Sequence, residues 1–531
     1  MKKCSKLSIL IFVFLFFSIL YPLILMLSKV EWSNFGLLIS SNAFKESLFN
    51  SVFVSTISTI ISVLVAYFLA FSLNRAYIEH KAVLKTLLTL PMLIPSISHG
   101  LGLINLFGAN GIISKSFGFN IIGEVGIIIG SFLYSFPVAF LMLDDGFHYI
   151  DNKMYDVAHV LGFNKWQTFK KVTFCYLKKP ILSSIFAVFT LVFTDYGVPL
   201  SVGGKFITLP VFLYKEVIGL LDFSKGTMIG LFLLIPAFIS FLFDNFSRDY
   251  SSGDFEGNDY KLGNNKLRDR ICTIFVYVVL IFVCIILGSF VYYGFIDNVV
   301  VNKVVSLKHF DYVFTDGISK YIFNSLLIAI AVSIVGTIIS YLIAYVTCRI
   351  KKIGSKVIHL LTIVSLAIPG IVLGLSYTIS FNSSFIYNTF IILILVNIIH
   401  FMASPYLMAY NALQKVNPNY EVVAKTCNIP IYKIVIDVIV PCTKKTIREM
   451  FSYFFVNSMV TISAVTFLFN TSTMPLSLMI NKYEGNLMLG EAAIVSLFIL
   501  LFNLIVKGIV YYINRVEHRR SENREINVSS I

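Results

Sequence analysis

Few residues of this chain combine a reactive side chain with a place where chemistry could occur. Asp195 is the clearest, because it is a carboxylate in the segment from Phe193 to Pro199, inside the apolar run at 181–202. A charge at membrane depth costs about 2.5–3.5 kcal/mol on the insertion scale, so such a residue is a functional candidate by default. Asp195 could bind a cationic group of a solute, or it could instead pair with Lys205 or cap a broken helix.

The rest of the sequence does not indicate a catalytic or cofactor site. The segment Val202-Gly203-Gly204-Lys205-Phe206 lacks the first glycine of a phosphate-binding loop, since position 199 is proline, and no Ser or Thr follows its lysine. The eight histidines are scattered, without the spacing of a zinc site. We therefore expect no catalytic residue, no metal and no cofactor in this chain, and a nucleotide such as ATP would have to bind to a separate chain.

The composition indicates that the chain is folded in a lipid bilayer. Of its 531 residues, 57% are hydrophobic and only 13% are charged, and the mean hydropathy is +0.83. A spanning helix needs roughly 20 apolar residues. About twelve runs approach that length, near 7–27, 51–73, 86–107, 125–143, 181–202, 227–243, 271–293, 323–347, 357–379, 386–408, 450–469 and 489–511. The sequence therefore predicts an all-α membrane protein.

The net charge of +14 follows from the way the chain crosses the membrane. With a cytoplasmic N-terminus, twelve spans assign 32 of the 42 Lys and Arg residues to cytoplasmic segments and 10 to external ones. This bias follows the positive-inside rule, so it explains the positive net charge without a nucleic-acid partner. We expect a multi-pass protein of the cytoplasmic membrane with both termini inside.

The sequence repeats itself over six spans. Phe49-Asn50-Ser51 recurs as Phe323-Asn324-Ser325, and Ile94-Pro95 recurs as Ile368-Pro369, each pair 274 residues apart. An even number of spans leaves both copies facing the same way, so these are parallel repeats. The predicted divisions are a first repeat at 1–243, a cytoplasmic linker at 244–270, a second repeat at 271–514 and a polar cytoplasmic tail at 515–531.

One cytoplasmic loop of the first repeat, at 150–180, reads as two short amphipathic helices joined by a turn. Tyr155, Ala158 and Leu161 are predicted to share one helical face, and Gly162 follows at the turn. Glycine adopts a positive φ without steric cost, which a sharp turn between helices requires. Trp166 begins a second apolar face, as a loop that docks on a soluble partner would need.

The loop at 415–445 repeats this pattern, with Tyr432 in the place of Trp166. When the two loops are aligned on Ala424 and Pro441, Asn428 takes the place of Gly162; aligned on the acidic residue, Cys427 does. Asparagine is the residue after glycine that best tolerates a positive φ. Both alignments stay open at the level of sequence.

These paired loops resemble the Glu-Ala-Ala loop of ABC-importer permeases, here as Asp156-Val157-Ala158 and as Glu421-Val422-Val423-Ala424. The resemblance implies a fused, two-repeat permease of a type I ABC importer, with a pair of ATPase subunits on its cytoplasmic side and a solute-binding protein outside. The coupling residues that it implies are Asp156, Ala158, Gly162, Trp166, Glu421, Ala424, Asn428, Tyr432 and Pro441. The first copy departs from the family by ending in Phe174-Cys175 instead of Leu-Pro.

The segments after the two loops are the expected solute pathway. The residues predicted to line it are Asp195, Tyr196, Asn457, Ser458, Thr461 and Ser463. Residues 194–204 resemble fused permeases for ferric iron, thiamine and phosphonates, and residues 454–468 resemble permeases for 2-aminoethylphosphonate. This resemblance implies import of 2-aminoethylphosphonate or a related phosphonate, with ferric iron, thiamine and polyamines as the alternative solutes.

Two other classes of membrane protein fit the sequence less well than this interpretation. A secondary transporter with parallel repeats would be expected to concentrate charged residues within its spans, and only Asp195 qualifies. A membrane-embedded enzyme would need clustered His, Asp or Glu at membrane depth, which the sequence does not contain. The importer permease is therefore the favoured hypothesis.

Overall fold

The computed structural model describes residues 2–108, 111, 113–114, 121–148, 150–247, 265–298, 302–350 and 354–529. These residues are almost entirely helical, apart from one two-stranded antiparallel hairpin. Most of the predicted linker, 244–270, lies outside them. The chain divides into two compact units, one of residues 1–30, 317–479 and 498–531, the other of residues 31–316 and 480–497. We call these the discontinuous unit and the central unit, and each is described by itself.

The central unit begins with the helices Trp32–Ser40, Asn42–Arg75, Lys81–Leu88, Ser96–Phe107 and Glu124–His148, with a 3-10 turn at Leu90–Leu93. Further helices are Asn152–Val160, Lys165–Thr168, Phe174–Thr194, Gly197–Val202, Leu209–Tyr214, Phe223–Ser247, Lys266–Phe295 and Lys308–Thr315. Wider π-helical turns lie at Phe169–Thr173 and Lys215–Gly219, and the strands are Ile296–Asn298 and Asn302–Val305.

The discontinuous unit contains Lys2–Leu15, Tyr21–Ser28, Ile318–Tyr345, Ser355–Val364, Gly370–Phe381, Phe390–Phe401 and Ala403–Lys415. It continues with Asn419–Thr426, Ile431–Ile434, Val440–Cys442 and Lys444–Val460. Its π-helical turns are Phe16–Leu20, Val346–Ile350 and Val435–Ile439, and a 3-10 turn lies at Ser365–Ala367. Two helices, Leu476–Gly485 and Leu489–Ser529, each contribute residues to both units.

The described residues contain fewer continuous spans than the twelve predicted apolar runs. Eight helices are long and apolar enough to cross a membrane, and two bent pairs raise the number to ten. The predicted run 86–107 is broken because Pro91 and Pro95 each lack the backbone N–H that a continuing helix requires. The run 450–469 is shortened because its helix ends at Val460 and turns follow.

The compact units do not follow the two halves of the sequence. In the discontinuous unit, the first helices of the chain pack with second-half residues, and the Tyr377 hydroxyl donates to the Ser18 carbonyl at 2.6 Å. In the central unit, helix Lys266–Phe295 packs with first-half residues. A Cβ atom at Gly102 would lie only 2.7 Å from a side-chain carbon of Ile286. The division of the sequence at 243 and 271 stays a prediction about the repeat.

The repeated Phe-Asn-Ser segments have the same structural role in both copies. The Asn50 side chain donates to the Ile207 carbonyl at 3.0 Å, and the Ser51 hydroxyl accepts from the Leu209 amide at 2.7 Å. In the second copy, Asn324 donates to the Ser472 carbonyl at 2.9 Å. The Ser325 hydroxyl there accepts from the Leu476 amide at 2.6 Å. Each pair of side chains therefore holds the backbone that follows a predicted fifth span.

Candidate functional site

The loops at 150–180 and 415–445, which the resemblance predicts to dock on ATPase subunits, are called the docking loops, and their first helices, Asn152–Val160 and Asn419–Thr426, are called the docking helices. The first docking loop is a helix, a left-handed turn and a second helix. Helix Asn152–Val160 ends where the Phe163 amide donates to the Ala158 carbonyl at 3.0 Å, across Gly162 with φ of +71°. This is the six-to-one hydrogen bond of a Schellman motif, which needs a residue of positive φ after the helix. The predicted turn at Gly162 is thus present in the structure.

A capping box starts the second helix of this loop. The Asn164 side chain accepts from the Gln167 amide at 2.8 Å, and the Gln167 side chain accepts from the Asn164 amide at 3.0 Å. These two bonds satisfy amides that the helix Lys165–Thr168 leaves without partners. The direction in which the chain leaves the turn is therefore determined by local residues.

The second docking loop has the same backbone geometry 266 residues further on. The Ile429 amide donates to the Ala424 carbonyl at 2.8 Å, and Asn428 between them has φ of +55°. Of the two alignments that the sequence leaves open, the structure selects Asn428 rather than Cys427 as the counterpart of Gly162. Pro430 precedes the short helix Ile431–Ile434. A proline is tolerated there, because the backbone N–H that it lacks has no partner at the start of a helix.

Apolar side chains project from both turns. In the first loop Val157, Val160, Leu161 and Trp166 are exposed, and Val160 is 85% exposed. The predicted face of Tyr155, Ala158 and Leu161 is wrong, because Ala158 is buried while Leu161 is exposed. Sequence reasoning missed Val157 and Val160, although apolar residues beside a turn glycine in a polar loop are a usable signal.

The second loop exposes a similar set of apolar side chains. Val422, Val423, Ile429, Ile431, Tyr432 and Ile436 all have exposed side chains. Exposed, clustered apolar residues of this kind are typical of sites that contact another protein or the membrane. Ala424, like Ala158, is only 2% exposed, so one small residue of each docking helix packs inward while its neighbours face out.

The two acidic residues of the loops are not structural counterparts. Asp156 is exposed, and its carboxylate accepts a long hydrogen bond from the Asn152 side chain at 3.4 Å. Glu421 instead corresponds to Tyr155, which lies 266 residues before it, the offset that also relates Ala158 to Ala424. Tyr155 and Glu421 each accept a hydrogen bond from an arginine that the sequence analysis did not identify.

These arginines, Arg75 and Arg349, lie 274 residues apart, the offset of the repeat, and that spacing could have revealed them. Arg75 donates to the Tyr155 hydroxyl at 3.2 Å and lies 5.0 Å from the centre of its ring. Arg349 donates to both carboxylate oxygens of Glu421, at 2.8 and 2.7 Å. Each docking helix is thus held by an arginine from the end of a long helix.

In the first repeat, the predicted pathway residues adjoin a break between two helices. Asp195 lies between Phe174–Thr194 and Gly197–Val202, and its carboxylate accepts from the Gly197 and Val198 amides at 3.3 and 3.0 Å. The Ser96 hydroxyl is a further partner. The geometry therefore shows Asp195 capping a broken helix, which is one of the alternatives left open by the sequence. Tyr196 is buried and stacks on Tyr214.

In the second repeat, the predicted pathway residues adjoin the end of helix Lys444–Val460. Thr461 is the counterpart of Asp195, since each is the first extended residue after its helix. The Asn457 side chain donates to the Tyr453 carbonyl at 2.8 Å. The Ser458 hydroxyl is buried and, within the part of the chain that the structure describes, has no hydrogen-bond partner.

Ser463 lies where two segments approach closely. Its hydroxyl occupies the space that a side chain at Gly370 would need, so a substitution at Gly370 would force Ser463 or the start of that helix to shift. The two halves of the predicted pathway belong to different compact units, and a pathway role for these residues stays a prediction. Among the residues described, no three His, Cys, Asp or Glu side chains are grouped so as to hold a metal ion.

The sequence matches a known family over more than half of its length. The family described as the binding-protein-dependent transport system inner membrane component matches residues 62–251 and again residues 336–517. The chain therefore belongs to this family, and it is a multi-pass, fused two-repeat permease of an ABC importer with the type I permease fold.

Several relatives share this similarity. A ferric transport system permease protein of Haemophilus influenzae is 26% identical over 448 residues, covering 80% of this chain and 70% of that protein. One of Actinobacillus pleuropneumoniae is 25% identical over 448 residues, 80% of this chain and 64% of that protein. A thiamine transport system permease protein of Escherichia coli is 24% identical over 188 residues, 34% of this chain and 35% of that protein.

Proposed function

We propose that the two docking loops bind a pair of ATPase subunits, and that ATP hydrolysis there drives solute import through this permease. The observation that carries the proposal is the duplicated helix, left-handed turn and helix, with Gly162 and Asn428 at equivalent places and exposed apolar residues beside each. Two copies of one rigid surface suit a partner that itself comes as two similar subunits.

The loops face the cytoplasm in this proposal, and the hairpin of Ile296–Asn298 and Asn302–Val305 faces outside. In a cysteine-free background, an impermeant thiol reagent added to intact cells should modify Lys308→Cys and spare Val160→Cys; both side chains are exposed in the folded chain. The opposite labelling pattern would overturn this orientation.

Ferric iron is the first candidate solute. The support is the similarity to two permeases named for ferric transport, which extends over 80% of this chain. The sequence predicts that Asp195 could bind a cationic group of a solute. In the structure, however, the Asp195 carboxylate already accepts hydrogen bonds from two backbone amides. That geometry removes part of the argument for an aminated solute.

2-Aminoethylphosphonate is the second candidate. Residues 454–468 resemble permeases for this compound, and the buried Ser458 hydroxyl has a donor to offer to a phosphonate oxygen. An external binding protein would select the solute before it reaches the membrane, so the residues of the permease alone discriminate weakly between the two compounds.

One deletion strain separates the two candidates. Uptake of radioactive ferric iron under iron limitation should fall at least tenfold in the strain, and the wild-type gene should restore it. In a strain that has no second phosphonate importer, growth on 2-aminoethylphosphonate as the sole phosphorus source should be unchanged. Normal iron uptake combined with lost growth on the phosphonate would instead assign the phosphonate.

A further inference from the structure

The ends of two long helices are tied directly to the docking helices. Arg75 is the last residue of helix Asn42–Arg75, and Arg349 lies in the π-helical turn that continues helix Ile318–Tyr345. Both arginines are largely buried against the residues they bind. Burying a guanidinium costs free energy unless other groups compensate for its charge, so each arginine is best understood through the groups that it contacts.

Arg349 joins three elements of the discontinuous unit. Its fork donates to both oxygens of Glu421, in the first turn of helix Asn419–Thr426. The same guanidinium donates to the Val416 carbonyl at 2.8 Å and to the Asn417 carbonyl at 3.2 Å, directly after helix Ala403–Lys415. Bidentate, charge-assisted bonds of this kind determine orientation as well as distance. The docking helix therefore cannot turn relative to the long helix without breaking them.

Arg75 joins the equivalent elements of the central unit through an aromatic partner. It donates to the Tyr155 hydroxyl, and its guanidinium lies 5.0 Å from the Tyr155 ring centre and 5.5 Å from that of Phe147. The Tyr155 hydroxyl also bonds to the Thr173 hydroxyl at 2.9 Å, immediately before helix Phe174–Thr194. This link holds the docking helix between two helices through the Tyr155 hydroxyl and the rings of Tyr155 and Phe147.

We propose that Arg75 and Arg349 are positioning residues that transmit movement of the docking helices to the long membrane helices. This inference rests on the proposed function, because the docking helices must carry the ATPases for movement to be transmitted. It also assigns the Glu421 carboxylate to an internal bond with Arg349, so that the exposed apolar residues provide the contact with the ATPase.

The test uses the full-length permease, purified with its cognate ATPase and reconstituted in lipid nanodiscs. Arg349→Lys keeps the charge but loses the fork, and Glu421→Gln keeps the shape but loses the charge. Both variants should retain the ATPase within twofold of wild type. Stimulation of ATP hydrolysis by the solute-loaded binding protein should fall at least tenfold in kcat per complex, with the KM for ATP unchanged.

Two further variants separate coupling from simple loss of structure. The exchanged pair Arg349→Glu with Glu421→Arg should regain part of the stimulated kcat. Arg268→Lys should change nothing, because Arg268 pairs with its neighbour Asp269 on the same helix. Stimulation within twofold of wild type in both single variants would overturn the proposal. So would loss of the ATPase from Glu421→Gln alone, because Glu421 would then contact the ATPase itself.

Amide hydrogen exchange tests the link without any partner. In the purified permease, exchange over residues 419–428 should accelerate at least tenfold in Arg349→Lys, while residues 152–160 should exchange as in wild type. Unchanged exchange over 419–428 would overturn the link even if the ATPase binds. Failure of the wild-type permease to bind an ATPase would instead contradict the proposed function and leave the exchange result to decide the link.

Discussion

The two docking loops share a backbone and differ in the side chains that stabilise it. Both place a buried alanine in the docking helix, at Ala158 and Ala424, and both turn through a residue of positive φ, at Gly162 and Asn428. The first loop then relies on a capping box, whereas the second places Pro430 before its short helix. The two loops have the same backbone geometry although different side chains stabilise it. This indicates that both copies need the same loop shape.

The greatest difference between the loops lies in how each is held by its arginine. Arg349 meets a carboxylate and backbone carbonyls, while Arg75 meets a phenol and two aromatic rings. An ion pair that loses one member leaves a charge behind in a partly buried place, whereas an aromatic cage that loses its cation does not. The same arginine substitution should therefore have unequal effects in the two repeats.

The largest expected effect comes from removing each arginine in turn. Arg349→Ala leaves Glu421 without its partner and should destabilise the permease by about 2–4 kcal/mol, discounted for the partial exposure of the pair. Arg75→Ala loses one hydrogen bond and the cation–π contacts, about 1–2 kcal/mol. Melting of the purified variants in detergent should show the larger drop for Arg349→Ala. Equal drops would contradict the difference between the two loops.

The next effect concerns the left-handed turns. A Cβ atom at Gly162 would meet no neighbour within 4 Å, so substitutions there act through backbone strain alone. An L-residue in this conformation costs about 1–2 kcal/mol, which is close to a tenfold change in an equilibrium constant. Gly162→Val should weaken co-purification of the ATPase about tenfold.

Gly162→Asn is the matched control, because asparagine already occupies this place in the second loop. It should retain the ATPase within twofold of wild type, and Asn428→Gly should do the same in the other loop. If Gly162→Asn were as damaging as Gly162→Val, backbone strain would not be the cause.

The smallest effect tests a single hydroxyl in the first loop. Tyr155→Phe removes the hydrogen bonds to Arg75 and Thr173 but keeps the ring beneath the guanidinium. We expect a loss of about 0.5–1.5 kcal/mol in stability, the usual contribution of such a bond. Thr173→Val, which removes the other end of the hydroxyl pair, should have a similar effect. A loss larger than that of Arg75→Ala would mean that the hydroxyl, and not the ring beneath the guanidinium, provides most of this link.

The sequence was sufficient to predict the features that are encoded locally. The repeat follows from segments such as Asn50-Ser51 and Asn324-Ser325, whose side chains bind the same backbone in both copies. The turn at Gly162 follows from the conformational freedom of glycine. Both predictions use only neighbouring residues and the constant spacing between the two repeats.

Features that depend on distant packing were not predicted. Pro91 and Pro95 predict a kink within the run at 86–107, because each removes a backbone hydrogen bond, but hydropathy and these prolines do not show that the run divides into separate helices. Helical periodicity placed Ala158 and Leu161 on one face, but Leu161 begins the turn, where that periodicity no longer applies. The first helices of the chain group with second-half residues, and helix Lys266–Phe295 groups with first-half residues. No local sequence pattern indicates either grouping.

Cysteine cross-linking to the ATPase tests the central claim that these two loops are its docking sites. Cys427 is exposed and corresponds to Leu161, so a variant that keeps Cys427 as its only cysteine can be matched with one that carries only Leu161→Cys. Each variant should form a cross-link to the ATPase in membranes, whereas Val305→Cys in the hairpin should form none. Cross-links from Val305→Cys, with none from either loop, would contradict the account.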